Sequence, residues 1–279
     1  MSLSLREELR VVLTPQQVLL VRIGRAFTRR GLTRRVLQKI AVPCVAADAG
    51  VPWSGALGTL ETELAGLAKD TAFASVILSN HFMHYALIPW SGALKDEAEE
   101  TAVARHFFRE LHGPAADAWE LRLSPDKAGE PQLASAVDGA LTEALRAVFA
   151  GAGIRLRSIQ PSLMTAYNSC RNRLQGSSAW FVLFEAGSLC LALLQQGRLG
   201  SVRTLRTGSD WCDTLPLTVE REAYLTDLAT TDEILLWAPE LEKSALPVSA
   251  RWKIHALQPE IRADFVADYD RRFAVAMGG

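Results

Sequence analysis

The sequence predicts an α/β protein in which one strand-and-helix unit, β-β-β-α-β, occurs twice and builds two lobes. Three observations lead there. Short apolar runs separated by turn-forming residues give one meander of strands near residue 10 and a second near residue 180. Each meander is followed by apolar residues at three- and four-residue steps, and then by another short apolar run. A chain of 279 residues also suits two medium cores better than one.

The elements follow in order. Residues 9–13 and 18–23 are apolar and are separated by Thr14-Pro15-Gln16, which predicts a hairpin with proline in its turn. A cation-rich loop comes next, and residues 36–46 read as the third strand. Residues 53–70 carry Leu57, Leu60, Leu64 and Leu67 along one helical stripe. Strands are expected at 75–78 and 82–88. Residues 96–112 form a helix with an acidic first turn, which suits its dipole, and a stop at Gly113-Pro114. Residues 119–123 alternate as a strand does, and 133–150 read as a long helix ending on Gly151 and Gly153. A strand at 154–159 and a helix at 161–174 bridge to the second half. There, strands at 179–184, 189–195 and 199–205 are joined by Ala186-Gly187-Ser188 and Gln196-Gly197-Arg198, short glycine-bearing links of an antiparallel meander. A helix over 213–229, its start delayed by Pro216, and a strand over 233–237 complete the repeat. The expected lobes are residues 1–152 and 153–279.

Composition narrows the function classes. Net charge is -1, so the molecule as a whole has no field that gathers nucleic acid. Residues 22–39 nevertheless hold Arg22, Arg25, Arg29, Arg30, Arg34, Arg35 and Lys39 without an acid among them. Such a segment suits an anionic membrane surface, an acidic protein or nucleic-acid phosphates. Phe27 is its one aromatic residue, so a stacking platform for single strands is not indicated and no nucleic-acid partner is expected. Cys44, Cys170, Cys190 and Cys212 lack paired spacing and read as reduced thiols. Residues 1–8 lack the pattern of a signal peptide, and no apolar run approaches the length of a membrane-spanning helix.

Candidate reactive groups are few. His81 and His84 are three apart and would face opposite sides of a strand, so they share a metal only if the chain turns between them. His106 and His112 are six apart on a helix and read as boundary residues. Ser79 and Ser188 lie in turns but not in a nucleophile elbow. Asp96, Glu97, Glu99 and Glu100 read as a solvated first helical turn. No catalytic or metal-binding set emerges.

Three antiparallel strands, a helix and a strand, duplicated, is an arrangement that resembles the actin, Hsp70 and sugar-kinase superfamily. Within it, the segment Val76-Ile77-Leu78-Ser79-Asn80-His81-Phe82 through Tyr85-Ala86-Leu87-Ile88-Pro89-Trp90, followed by an acidic helix, looks like the PilM-like proteins. These include the MSHA biogenesis I proteins and the cytoplasmic domain of the type II secretion L protein. The stretch from Phe184-Glu185-Ala186-Gly187-Ser188 to Gln196-Gly197-Arg198-Leu199 is similar to that family's D-I-G…G-R-L hairpin. Gly208-Ser209-Asp210 stands where the family often has a glycine pair.

The resemblance implies a two-lobed actin-like (ribonuclease H-like) α/β fold. It also implies a cytoplasmic scaffold, peripheral to the inner membrane through its partners. Such a scaffold binds an inner-membrane protein of a type IV pilus or type II secretion platform, and links it to the assembly ATPase or to further copies of itself. Nucleotide-binding members of the superfamily hold phosphates between two turns that need an acid for Mg²⁺ and a glycine for close approach. The first turn here, Leu13-Thr14-Pro15-Gln16-Gln17, has neither. The second keeps Glu185, Gly187 and Ser188 as a vestigial phosphate turn, or as a plain hairpin turn. The glycine-rich turn expected under an adenine is replaced by Ala238-Pro239-Glu240. The expectation is therefore a scaffold without ATPase activity and without a cofactor. Two alternatives stay open: a nucleotide-binding ATPase or kinase using ATP and Mg²⁺, and a nucleic-acid or anionic-membrane binder acting through Arg25, Arg29, Arg30, Arg34 and Arg35.

Overall fold

The computed structural model describes residues 7–28, 31–67, 71–94, 96–124, 127–226, 231–242, 245–258, 265–266 and 270–278. The first strands and helix are β1 (Glu7–Leu13), β2 (Gln17–Thr28), β3 (Gly31–Pro43), α1 (Ser54–Gly66) and β4 (Thr71–Leu78). They are followed by β5 (Met83–Ile88), α2 (Glu97–His112), β6 (Trp119–Ser124), β7 (Gln132–Asp138), α3 (Gly139–Gly151) and β8 (Arg155–Pro161). Then come α4 (Ser162–Ser169), α5 (Arg171–Leu174), β9 (Ala179–Glu185), β10 (Ser188–Gln195) and β11 (Arg198–Arg206). The remainder is α6 (Trp211–Tyr224), β12 (Glu233–Trp237), β13 (Lys253–Ala256), β14 (Phe265–Val266) and α7 (Ala274–Met277).

The repeat predicted from sequence is present as sheet topology. One sheet runs β14-β3-β2-β1-β4-β8 and another β11-β10-β9-β12-β13. In each, the first strand of an antiparallel meander sits inside the sheet and pairs in parallel with the strand that follows a helix: β1 with β4, and β9 with β12. A further parallel strand completes each sheet, β8 beside β4 and β13 beside β12. A third, three-stranded sheet has the order β5-β7-β6.

The chain forms two compact units that do not follow a boundary at residue 152. One holds residues 1–82, 140–169 and 259–279, the other 83–139 and 170–258. The correction has a topological cause. Strand β8 and helix α7 complete the first sheet from distant parts of the chain, and the three-stranded sheet is an excursion between β4 and β8.

In the first unit, Val12, Leu19, Val21, Ile23 and Ile77 form one sheet face, covered by Phe273, Ala276 and Met277. Arg10 donates from Nη1 to the carbonyls of Ala276 at 2.9 Å and Gly278 at 3.2 Å, so a strand residue satisfies the end of α7. In the second unit, Trp180, Val182, Leu189, Leu191 and Leu193 pack against Trp211, Leu215 and Val219 of α6. The Phe184 and Trp211 rings stack at 3.8 Å. Helix α2 covers the three-stranded sheet through Ala104 and Phe108. Its Asp96 cap accepts from the Glu99 amide at 2.9 Å, as the acidic start predicts.

Four sequence expectations are corrected. Residues 133–150 are not one helix but the end of β7 followed by α3. Strand β7 is the middle of its sheet and buried over Leu133–Val137, so no period-two alternation is left to read. The cationic stretch is not a loop: β2 and β3 pair along their lengths through it, from Gln17↔Pro43 to Thr28↔Gly31. The 161–174 helix is divided at Cys170 into α4 and α5. Helix α6 begins at Trp211 with Pro216 inside it, because Trp211, Leu215 and Val219 are anchored in the core and override the proline's preference for a first turn.

The β10–β11 link has both central residues at positive φ, Gln196 at 51° and Gly197 at 80°, the geometry of a type I′ hairpin. A Cβ on Gly197 would also lie 2.5 Å from the Gly176 amide nitrogen. Gly197→Ala is expected to lower stability in urea titrations by about 2 kcal/mol or more. Gly153→Ala, at φ +71° but with open space around it, should cost about 1 kcal/mol.

Candidate functional site

The three turns that would serve a nucleotide can each be built from their hydrogen bonds. Between β1 and β2, Thr14 Oγ1 donates to the Gln17 carbonyl at 2.8 Å and accepts from the Gln17 amide at 3.0 Å. The Thr14 amide donates to the same carbonyl at 3.1 Å, and the Gln16 carbonyl accepts from the Cys44 amide at 2.8 Å. Pro15 has no N–H. The turn's polar groups are thus directed into itself and toward the end of β3, and an incoming phosphate would have to displace the Thr14 hydroxyl from Gln17.

Between β9 and β10, Glu185 and Ser188 pair directly across a two-residue turn, with Gly187 at φ 84°. Ser188 is buried, Glu185 is half-buried, and the Gly187 carbonyl accepts from the Thr207 amide at 3.1 Å. Glu185 stands near enough to influence Cys190. Burial pushes that thiol up to about 12, against a hydrogen bond from Thr204, and the Glu185 charge adds to the rise. After β12, Ala238 and Pro239 are buried and the Ala238 carbonyl accepts from the Leu241 amide at 2.9 Å. Ala238, Leu241 and Leu246 belong to the cluster around Trp211 and Trp252, so this turn is part of a packed core.

A feature not seen in the sequence lies at the carboxyl edge of the first sheet. Leu13, Leu78 and Pro161 are in register on three parallel strands, and the next residue of each is a hydroxyl: Thr14, Ser79 and Ser162. This is the edge at which open α/β sheets receive ligands. Ser79 is fully buried and its Oγ lies 2.8 Å from His81 Nδ1, while Ser162 is 1% exposed. None of the three carries charge, so they offer no ligand that neutralises a divalent cation. Only the paired register places these residues together, since they are 65 and more positions apart.

The predicted cationic contact is only partly retained as free charge. Arg22 pairs with Glu7 at 2.6 Å and Arg34 with Glu8 at 3.9 Å, both across the sheet from β1. Acids absent from the local sequence are supplied by β1. Arg25 and Arg35 are exposed, and Arg29 and Arg30 lie outside the described residues. A second cationic surface is a shallow hollow of about 430 Å³ beside β8, lined by Arg146, Ala150, Ile154, Arg155 and Leu156.

His81 and His84 are engaged separately. His81 sits in a one-turn 3-10 segment, Asn80–Phe82, against Ser79. His84, on β5, stacks on Trp119 at 3.9 Å with its ring 4.8 Å from that of His112. His112 ends α2 as expected, but its neighbours are His84, Trp119 and Phe108. Burial, reinforced by the His112 charge, pushes His84 down to about 4. Among the described residues no group of three or more His, Cys, Asp or Glu is gathered to hold a metal ion, and no helix is long and apolar enough to cross a membrane.

No profile of a known protein family matches the chain, and no curated protein does. Its similarity is to solved structures. The structure of a PilM-PilN type IV pilus biogenesis complex aligns at TM-score 0.56 and 15% identity, over 82% of this chain and 80% of that one. The cytoplasmic domain of EpsL, an inner membrane component of the type II secretion system of Vibrio cholerae, aligns at 0.55 and 9%, over 90% of each chain. A Bacteroides thetaiotaomicron protein with an actin-like ATPase fold and unknown function aligns at 0.52 and 12%, over 84% of this chain and 82% of that one. At such identities the likeness establishes the fold. The chain has the two-lobed actin-like α/β fold, with the duplicated unit that its sequence predicts.

Two expectations follow from the buried groups. His84 titrates near 6.5 when unfolded and near 4 when folded, so between those pH values the unfolded chain binds more protons and acidification favours unfolding. The melting temperature of the wild type should therefore fall from pH 7 to pH 5 by roughly 2 °C more than that of His84→Phe. Under native conditions, iodoacetamide should modify Cys44 and Cys212 slowly, since burial raises both thiols. The fully buried Cys170 and Cys190 should be modified only in denaturant, as read by mass spectrometry.

Proposed function

We propose that this protein is a non-catalytic scaffold of a bacterial type IV pilus or type II secretion inner-membrane assembly platform. The observation that carries the reading is the closed Thr14–Gln17 turn: its hydroxyl and amides bond to one another where a nucleotide-dependent member of the fold needs open donors. The fold shared with a PilM-PilN complex and with the EpsL cytoplasmic domain supports a platform role. In this reading the protein lies in the cytoplasm against the inner membrane and binds a platform membrane protein, which it links to the assembly ATPase. Arg25 and Arg35, with Arg29 and Arg30, form the contact with an acidic partner segment or anionic headgroups.

The competing nucleotide reading rests on Glu185, Gly187 and Ser188, whose turn retains an acid and a glycine at positive φ. Calorimetry separates the two. Mg-ATP at about 1 mM should shift the melting temperature by less than about 1 °C, in the wild type and in Glu185→Ala alike, whereas tight nucleotide binding would raise it by several degrees. Affinity capture from a detergent-solubilised lysate of a host with pilus or secretion machinery should recover an inner-membrane platform component. Arg25→Glu/Arg35→Glu should reduce that recovery severalfold. Capture of no such component, together with a Mg-ATP-dependent rise that Glu185→Ala removes, would transfer the protein to the ATPase or kinase class.

A further inference from the structure

The inner stripe of α6 is Trp211, Leu215, Val219 and Glu222, all buried. Its outer stripe, at the same helical spacing, holds Leu217, Glu220, Arg221 and Tyr224, with Leu225 at the C-cap. Leu217 is 68% exposed, Tyr224 77% and Leu225 64%. Two large apolar side chains on one line of a surface helix, with a third at its C-cap, mark a contact surface rather than scattered exposure.

The stripe is already held in shape. Glu222, 3% exposed, pairs with Arg203 and Arg221 at 3.2 Å each and so locks the helix to the β11 side. Arg251 pairs with Glu220 and lies 5.7 Å from the centroid of the Tyr224 ring. Two members of the stripe are thereby positioned before any partner arrives, which lowers the ordering cost of association.

The order of the four side chains says what the partner is. Read from either end, the stripe is an apolar residue, two charges of opposite sign, and an apolar residue. Turned end for end, that order is complementary to itself, which is the property an isologous contact between two copies requires. We infer that α6 pairs antiparallel with the same helix of a second copy of this chain, about a two-fold axis between Glu220 and Arg221. Leu217 then packs on the partner's Tyr224, and Glu220 faces the partner's Arg221, with both contacts repeated across the axis. Leu225 closes each end. The Glu220 carboxylate holds Arg251 through one oxygen and has a second for the partner's Arg221.

The test uses the full chain in sedimentation equilibrium, together with charge-reversed copies. The wild type should dimerise with a Kd on the order of 10–100 μM, given the small area of one helix face. Glu220→Arg or Arg221→Glu alone places like charges together on both sides of the axis and should weaken self-association about tenfold or more. The two variants mixed restore opposite charges at both positions, so they should pair with each other at an affinity within about threefold of the wild type. Leu217→Glu should leave the folded protein monomeric, and it carries the test if Arg221→Glu proves unstable beside Glu222. A wild type that stays monomeric at several hundred micromolar, single variants that dimerise like the wild type, or a mixture that stays monomeric would each overturn the inference.

Discussion

The parallel pairing of the first meander strand with the strand beyond the helix governs how the rest of each unit is arranged. Once Leu13 of β1 lies beside Leu78 of β4, and Leu183 of β9 beside Trp237 of β12, the meander must extend to one side and the later strands to the other. The connection between the paired strands has to cross a sheet face, which is where α1 and α6 run. Both sheets satisfy this constraint with the same strand order. The register also decides chemistry, because it brings three hydroxyl residues to one carboxyl edge and leaves acids elsewhere.

The Thr14–Gln17 turn differs from an open phosphate turn in its bonding as well as in its composition. An open phosphate turn needs donors that point away from it, and here the Thr14 hydroxyl and amide bond to Gln17 within the turn. A side-chain hydroxyl that mimics a backbone turn stabilises the hairpin locally, and it does so at the expense of the donors a ligand would use. The turn after β12 is apolar, packed with Leu241 and Leu246. In both turns the polar groups serve the local packing and hydrogen bonding of the hairpin or core.

Features fixed by local chemistry are legible in the residues, and those created by tertiary pairing are not. Strand ends marked by Thr14-Pro15-Gln16, Ala186-Gly187 and Gln196-Gly197 are legible in the sequence, since turn chemistry is local. The acidic start of α2 was legible for the same reason. Strand β7 was not, because a strand covered on both faces loses its alternation and its alanines resemble a helix. The cationic segment 22–39 read as unpaired charge because Glu7 and Glu8, which neutralise Arg22 and Arg34, stand on a different strand. His84 with His112, and Thr14 with Ser79 and Ser162, are groupings created by the tertiary fold, and no spacing along the chain announces them.

The bond from Arg10 to the carbonyls of Ala276 and Gly278 joins the first strand to a helix synthesised some 260 residues later. The sheet built from β1 to β4 leaves the ribosome with one apolar face still waiting for Phe273, Ala276 and Met277, and it waits through synthesis of the entire second unit. Vectorial translation therefore delivers the two units in reverse order of completion: the unit begun first is sealed last. Until then, Val12, Leu19, Val21, Ile23 and Ile77 lack the apolar cover that α7 supplies in the folded chain.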